Sequence, residues 1–114
     1  MSVIILDVDG TLLEYDHYTA YQFGDPMPGV REFLKEMKAQ GHTIRLQTTR
    51  CDIERDDLLR HLEHYDLARF IDDVQCGGKL CGEVYIDDRA VRFAGDWNGV
   101  MLDMVKLLRE KGKA

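Results

Sequence analysis

The chain has 114 residues, enough for one small domain with a single core and too few for separate catalytic and substrate domains. Its 45% apolar and 32% charged composition is that of a globular protein rather than a disordered one. With 15 basic against 21 acidic residues, the net charge of −6 argues against a broad basic surface that grips nucleic acid.

The run Val3 to Leu6 is apolar throughout and mostly β-branched, as in a strand buried on both faces. Asp7 interrupts it too early for the core of a signal peptide or for a membrane span. The expectation is therefore a cytoplasmic protein with no membrane partner, in which Cys51, Cys76 and Cys81 are free thiols. The Cys76-x4-Cys81 spacing, with His61 and His64 as the only companions, is too loose for zinc.

A loop runs from Gly10 to about Asp25, and Pro28 suits the first turn of a helix. That helix carries Val30, Phe33, Leu34 and Met37 at helical spacing and stops at Gly41. Thr43 to Gln47 reads as a second strand. Asp52 is expected to cap a second helix with Ile53, Leu58, Leu59 and Leu62 on its apolar side, running to about Tyr65. Phe70 to Gln75 and Glu83 to Ile86 read as two more strands. Asp96 should cap a last helix, stopped by Gly112, with a buried stripe of Trp97, Val100, Met101, Met104, Val105 and Leu108. Strands alternating with helices predict a single α/β domain over 1–114, a Rossmann-like three-layer sandwich with a mainly parallel central sheet.

Ligands of such sheets bind beyond the carboxyl ends of the strands. The residues that follow the four predicted strands are Asp7-Val8-Asp9-Gly10-Thr11, Thr48-Thr49-Arg50, Gly77-Gly78-Lys79 and Asp87-Asp88-Arg89. Carboxylates, hydroxyls and a lysine on one edge suit a metal-assisted reaction on a phosphate: hard oxygen ligands hold Mg²⁺, and hydroxyl and ammonium groups hold phosphoryl oxygens. Without a cation the edge is costly, since two carboxylates about 5 Å apart repel by roughly 3 kcal/mol at an effective dielectric constant near 20.

With these residues in place, the chain resembles the haloacid dehalogenase-like hydrolase superfamily over nearly its whole length. Asp7 to Thr11 matches the Asp-x-Asp-Gly-Thr motif after an apolar strand, and Thr48, with Thr49 as the register alternative, matches the second-strand hydroxyl. Lys79 is a looser match to the lysine motif, and Asp87-Asp88 matches the closing acidic pair. The resemblance implies a Mg²⁺-dependent phosphatase acting on phosphate monoesters. Asp7 would attack phosphorus to form an aspartyl-phosphate, and Asp9 would protonate the leaving alkoxide and then activate water. Mg²⁺ would be held by Asp7, the Asp9 carbonyl and Asp88, with Asp87 behind them, while Thr48 and Lys79 hold the phosphoryl group. It also implies that Asp9 separates phosphoryl chemistry from relatives that carry other residues there.

No segment is long enough for a cap domain, so a capless member is expected, with a short flap at about 12–26. Tyr15, Tyr18, Tyr21 and Phe23 in that flap either stack on substrate or pack the flap onto the domain. Arg50 and Arg89 either hold a second anionic group or pair with nearby carboxylates; Arg92 is read as structural and His17 as an exposed loop histidine. Glu54-Arg55-Asp56-Asp57 reads as a solvated helix face.

The partner expected is a small phosphorylated substrate, and a nucleic-acid end and a homodimer that supplies a lid stay open. The competing function is a non-catalytic or phosphoacceptor, receiver-like signalling or binding domain. A receiver domain also uses Asp, Thr, Lys and an acidic pair, but Asp-x-Asp-Gly-Thr is not its arrangement. A P-loop enzyme is excluded, because Gly77-Gly78-Lys79 precedes a strand instead of opening a helix.

Overall fold

The computed structural model describes residues 2–15, 22–78 and 80–112. Its centre is a parallel sheet of β1 (Val3–Asp7), β2 (Thr43–Thr48), β3 (Asp73–Cys76) and β4 (Val84–Ile86), in the order β3-β2-β1-β4. The register sets Ile4 and Leu6 beside Ile44 and Leu46, and Leu46 beside Val74. These side chains therefore share one face, as the two-residue period of a strand requires.

Helices α1 (Val30–Ala39) and α2 (Arg55–His64) cover that face, burying Val30, Leu34, Leu58 and Leu62 against it. Both lie on the same side, as right-handed crossovers do when β1, β2 and β3 are laid down in one direction. Val8, Leu12 and Leu13 close the core at the carboxyl end of β1, so the loop that begins the site is itself anchored by burial.

On the opposite face the outer layer is a crossing segment instead of a packed helix. Leu80 N donates to Gln47 Oε1 at 3.2 Å, Gln47 Nε2 donates to the Gly78 carbonyl, and Tyr85 Oη donates to the Leu80 carbonyl at 2.5 Å. Gly82 lies so close to Ile5 that a Cβ there would sit 2.7 Å from Ile5 Cγ1. The fold is thus a small Rossmann-like α/β sandwich with an all-parallel sheet, thin on its second side.

Several boundaries differ from the sequence reading. Gly29, at φ +84°, begins α1 and leaves Pro28 in the turn before it. Asp52–Glu54 is a separate 3₁₀ turn entered from Cys51, and Ile53 on it is exposed. Phe70 ends a second 3₁₀ turn, Ala68–Phe70, so β3 starts three residues later than expected.

The largest correction is α3 (Trp97–Glu110). Asp96 caps it as expected, its carboxylate accepting from Asn98 N at 3.0 Å. The stripe predicted to be buried is not: Trp97, Met101, Met104, Val105 and Leu108 are all exposed, and Val100 is half-buried. The spacing gives the helix an apolar side but cannot say what that side meets, and the edge strand β4 has only three residues. With α3 standing off the body, the radius of gyration is 15.0 Å, against about 13 Å for a compact chain of this length.

Cys51, Cys76 and Cys81 are free thiols, and among the described residues no helix is long and apolar enough to cross a membrane.

Candidate functional site

The chemistry-bearing residues gather at the carboxyl ends of β1, β2 and β4. Asp7 is the last residue of β1, and the neighbouring strand β4 runs directly into Asp87-Asp88. One carboxylate oxygen from each of Asp7, Asp87 and Asp88 lies within 4.8 Å of the others, the one such group of potential metal ligands among the described residues. Asp87, expected behind the ligands, is an equal member of this trio.

Thr11 ties Asp7 to Asp88. Its hydroxyl lies 3.3 Å from Asp7 Oδ2 and 3.4 Å from Asp88 Oδ1, and it accepts from Asp88 N at 3.2 Å. Gly10 makes the approach possible. Its φ is +87°, and a Cβ there would stand 2.7 Å from Asp88 Oδ2, in the space against the carboxylates.

Burial pushes the Asp7 carboxyl from 3.8 up to about 7, with the Asp87 charge next and Asp88 contributing through a hydrogen bond and its charge. The cluster therefore holds more negative charge than its protein partners balance. Lys111 is the cation paired with it, its Nζ 3.4 Å from Asp88 Oδ2. A hard divalent cation fits this donor set: three convergent carboxylates, a backbone without a Cβ in the way, and repulsion that a cation would remove.

Thr48 ends β2, is buried, and accepts from Arg50 N at 3.1 Å through Oγ1, which leaves its hydroxyl proton to be donated. Thr49 is exposed. Both line an open cleft of about 990 Å³ with Asp7, Gly77, Gly78 and Asp87. Arg92, read as structural from the sequence, lines it too. Lys79 lies outside the described residues, as do His17, Tyr18 and Tyr21.

Asp9 stands apart from the trio. Both its carboxylate oxygens are taken by Arg50, Nε to Oδ2 at 2.7 Å and Nη2 to Oδ1 at 2.9 Å. Arg50 Nη1 pairs with Glu54 at 2.8 Å, and its guanidinium lies 4.3 Å from the Phe23 ring centre. The hydrogen bond to Asp9 and the pairing with Glu54 hold the Arg50 pKa above its ordinary value, against desolvation. Of the two readings of Arg50, pairing with carboxylates is the one found. Glu54, expected on a solvated face, is part of this network.

Arg89 has its guanidinium 5.7 Å from the Tyr15 ring centre, and its backbone N–H bonds Asp87 Oδ1 at 2.7 Å. Phe23 packs against the core. The flap limbs join through Glu14 N to the Asp25 carbonyl and Met27 N to the Leu12 carbonyl, and α2 holds them by His61 to the Gly24 carbonyl and Tyr65 to Asp25. Thr11, Glu54 and Lys111 were given no role in the site from the sequence. Thr11 had a signal in its place inside the motif; Lys111 had none, since only the return of α3 brings it near Asp88.

No protein-family model matches the chain, and no curated protein matches it. Among solved structures the chain is similar to a conserved protein from Bacteroides thetaiotaomicron, at 25% identity and a TM-score of 0.65 over 92% of this chain and 89% of that one. A crystal structure from Vibrio cholerae aligns with 97% of this chain and 99% of its own at 23% identity, with a TM-score of 0.44. The first of these likenesses supports the α/β fold.

Proposed function

We propose that the protein is a Mg²⁺-dependent phosphatase of the haloacid dehalogenase-like kind, acting on phosphate monoesters. The observation that carries this reading is the meeting of Asp7, Asp87 and Asp88 across β1 and β4, beside the buried Thr48 at the end of β2. Asp7, Asp87 and Asp88 would hold Mg²⁺, which when bound neutralises phosphate charge and the repulsion among the carboxylates.

Asp7 attacks phosphorus as the bond to the leaving oxygen breaks, and that oxygen keeps the bonding electrons and takes up a proton, the task its motif gives to Asp9. Water then attacks the aspartyl-phosphate, passes a proton to Asp9, and restores the Asp7 carboxylate as the oxygen–phosphorus bond breaks. Thr48 donates its hydroxyl proton to a phosphoryl oxygen as charge grows there. Lys79 is assigned the same task from its motif alone. The cleft beside Asp7 is open, which suits small phosphorylated substrates and also the phosphorylated end of a nucleic acid.

The test is a screen of phosphate monoesters with Mg²⁺, using Asp7→Asn as the blank. Turnover that requires both Mg²⁺ and Asp7 is the expected result. Equal turnover in Asp7→Asn would overturn the assignment. Labelling of Asp7 by acetyl phosphate without ester turnover would favour a phosphoacceptor domain instead.

A further inference from the structure

A parallel sheet is ordinarily covered on both faces. Here α1 and α2 cover the first face, and the second has only the crossing segment that carries Leu80 and Gly82. Ile5 and Tyr85, neighbours in the register of β1 and β4, belong to that second face. Both line the cleft of about 990 Å³, together with Ala90 and Val91 from the segment after β4. The space of a missing third layer thus stands open, with a partly apolar lining.

The helix that could fill it is α3, and it does not fill it within the chain. None of its described residues lines the cleft or is buried, and Lys111 at its end is held by Asp88. Trp97, Met101, Leu102, Met104, Val105 and Leu108 are between 40% and 71% exposed, and Phe93 stacks on Trp97. Asp103, Lys106 and Glu110, at spacings of three and four, fall on another side and leave this one uncharged.

The area decides what covers it. At about 200 Å² for a large side chain, the exposed apolar surface of α3 and Phe93 amounts to roughly 750 Å². The largest apolar patch of a typical monomer is about 300–600 Å², whereas a stable pair of proteins buries about 800 Å² on each partner. The chain also carries both halves of the contact, an apolar helix and an apolar-lined cleft. A twofold pair of identical copies joins those halves twice, and an unrelated partner would leave one of them open.

We propose that two copies of the chain associate through α3, each laying its apolar stripe into the cleft on the second face of the other's sheet. The partner's helix then forms the wall that the cleft lacks, over the Ile5, Tyr85 and Val91 end and away from Asp7, Thr48 and Asp87. This contact does not depend on the phosphatase reading.

The experiment is sedimentation velocity on the full chain from about 1 to 200 μM, a range set by the affinities of interfaces this size. Trp97 emission and iodide quenching are followed in parallel. Dimer should grow with concentration, and the emission should shift to the blue and become protected in step. Met101→Glu should raise the dimer Kd about 100-fold or more, since the charge enters both contacts of the pair. Val91→Glu should do the same from the cleft side. Mixing the two variants should restore dimer, because one of the two contacts then has both natural halves. Circular dichroism establishes that the variants are folded; should either fail, Leu102→Glu and Ala90→Glu take their places. A chain that stays monomeric to 200 μM overturns the proposal, as does a monomer whose Trp97 is already protected, which would mean that α3 packs on its own chain. A dimer that withstands either folded variant, or a mixture that does not reassociate, overturns it as well. None of these measurements reads ester turnover, so the phosphatase reading stands or falls separately.

Discussion

Replacing Asp7 by Asn should stabilise the metal-free protein while removing its turnover. The Asp7 carboxyl stands at about 7 instead of 3.8, raised first by burial and then by Asp87 and Asp88. The folded protein therefore holds this proton more tightly than the unfolded chain does. As pH rises, the unfolded chain releases it first, so stability is lost between about pH 4 and pH 7 and does not change further above that. A change of that size is worth about 4 kcal/mol at full strength, and solvent screening of the half-buried group reduces it to about 1–2 kcal/mol. Asn carries no charge at any pH and escapes the cost. The thermal midpoint of Asp7→Asn should exceed that of wild type by about 4–8 °C at pH 8 in chelator, and match it near pH 4. Millimolar Mg²⁺ should reverse the order: a ligand at 100 times its Kd adds about 2.7 kcal/mol, and the variant lacks one of the three carboxylates that would bind it. Scanning calorimetry at pH 4 to 8, with and without Mg²⁺, measures both effects. A variant no more stable than wild type at pH 8 in chelator, or Mg²⁺ raising both midpoints equally, would refute the reasoning.

Gly10→Ala should cost about 1–3 kcal/mol, because the residue keeps φ at +87° and its Cβ meets Asp88 Oδ2 at 2.7 Å. The Mg²⁺-induced rise in thermal midpoint should shrink with it; a variant that melts and responds like wild type would mean that Gly10 is not crowded against Asp88. Trp97, the single tryptophan, is 71% exposed and stacks on Phe93 at 4.6 Å. At high dilution its emission should be red-shifted and readily quenched by iodide, and a blue-shifted, protected signal there would place a covering surface over α3.

Much of the site was legible because motif and topology depend on short-range rules. An apolar β-branched run ending in Asp7 makes a buried strand whose carboxyl end carries the carboxylate, and a parallel sheet gathers such ends on one edge. The sequence alone therefore places Asp7, Asp88 and Thr48 at one edge of the sheet. Carboxylate pairing was one of two readings of Arg50, but Asp9 was not named as the partner, because residues 41 positions apart in the chain meet only once β1 and β2 are laid side by side. Nor was Glu54 placed in that network or Lys111 at Asp88, where a helix turn and the return of α3 decide the neighbours.

The sequence by itself determined the alternation of strands and helices, the caps at Asp96 and Gly41, and the acidic edge, since each follows from local backbone preference or hydrophobic period. Tertiary structure alone decided what the apolar sides meet. Val30 and Leu34 on α1 find the sheet and are buried, whereas the equally regular stripe on α3 finds no partner surface among the described residues. Periodicity fixes which side of a helix is apolar; only the chain's path through space fixes whether another surface is there to cover it. The opening charge balance sharpens in the same way. Part of the net charge of −6 is the Asp7, Asp87 and Asp88 cluster, whose repulsion arises from three residues brought within 4.8 Å by neighbouring strands.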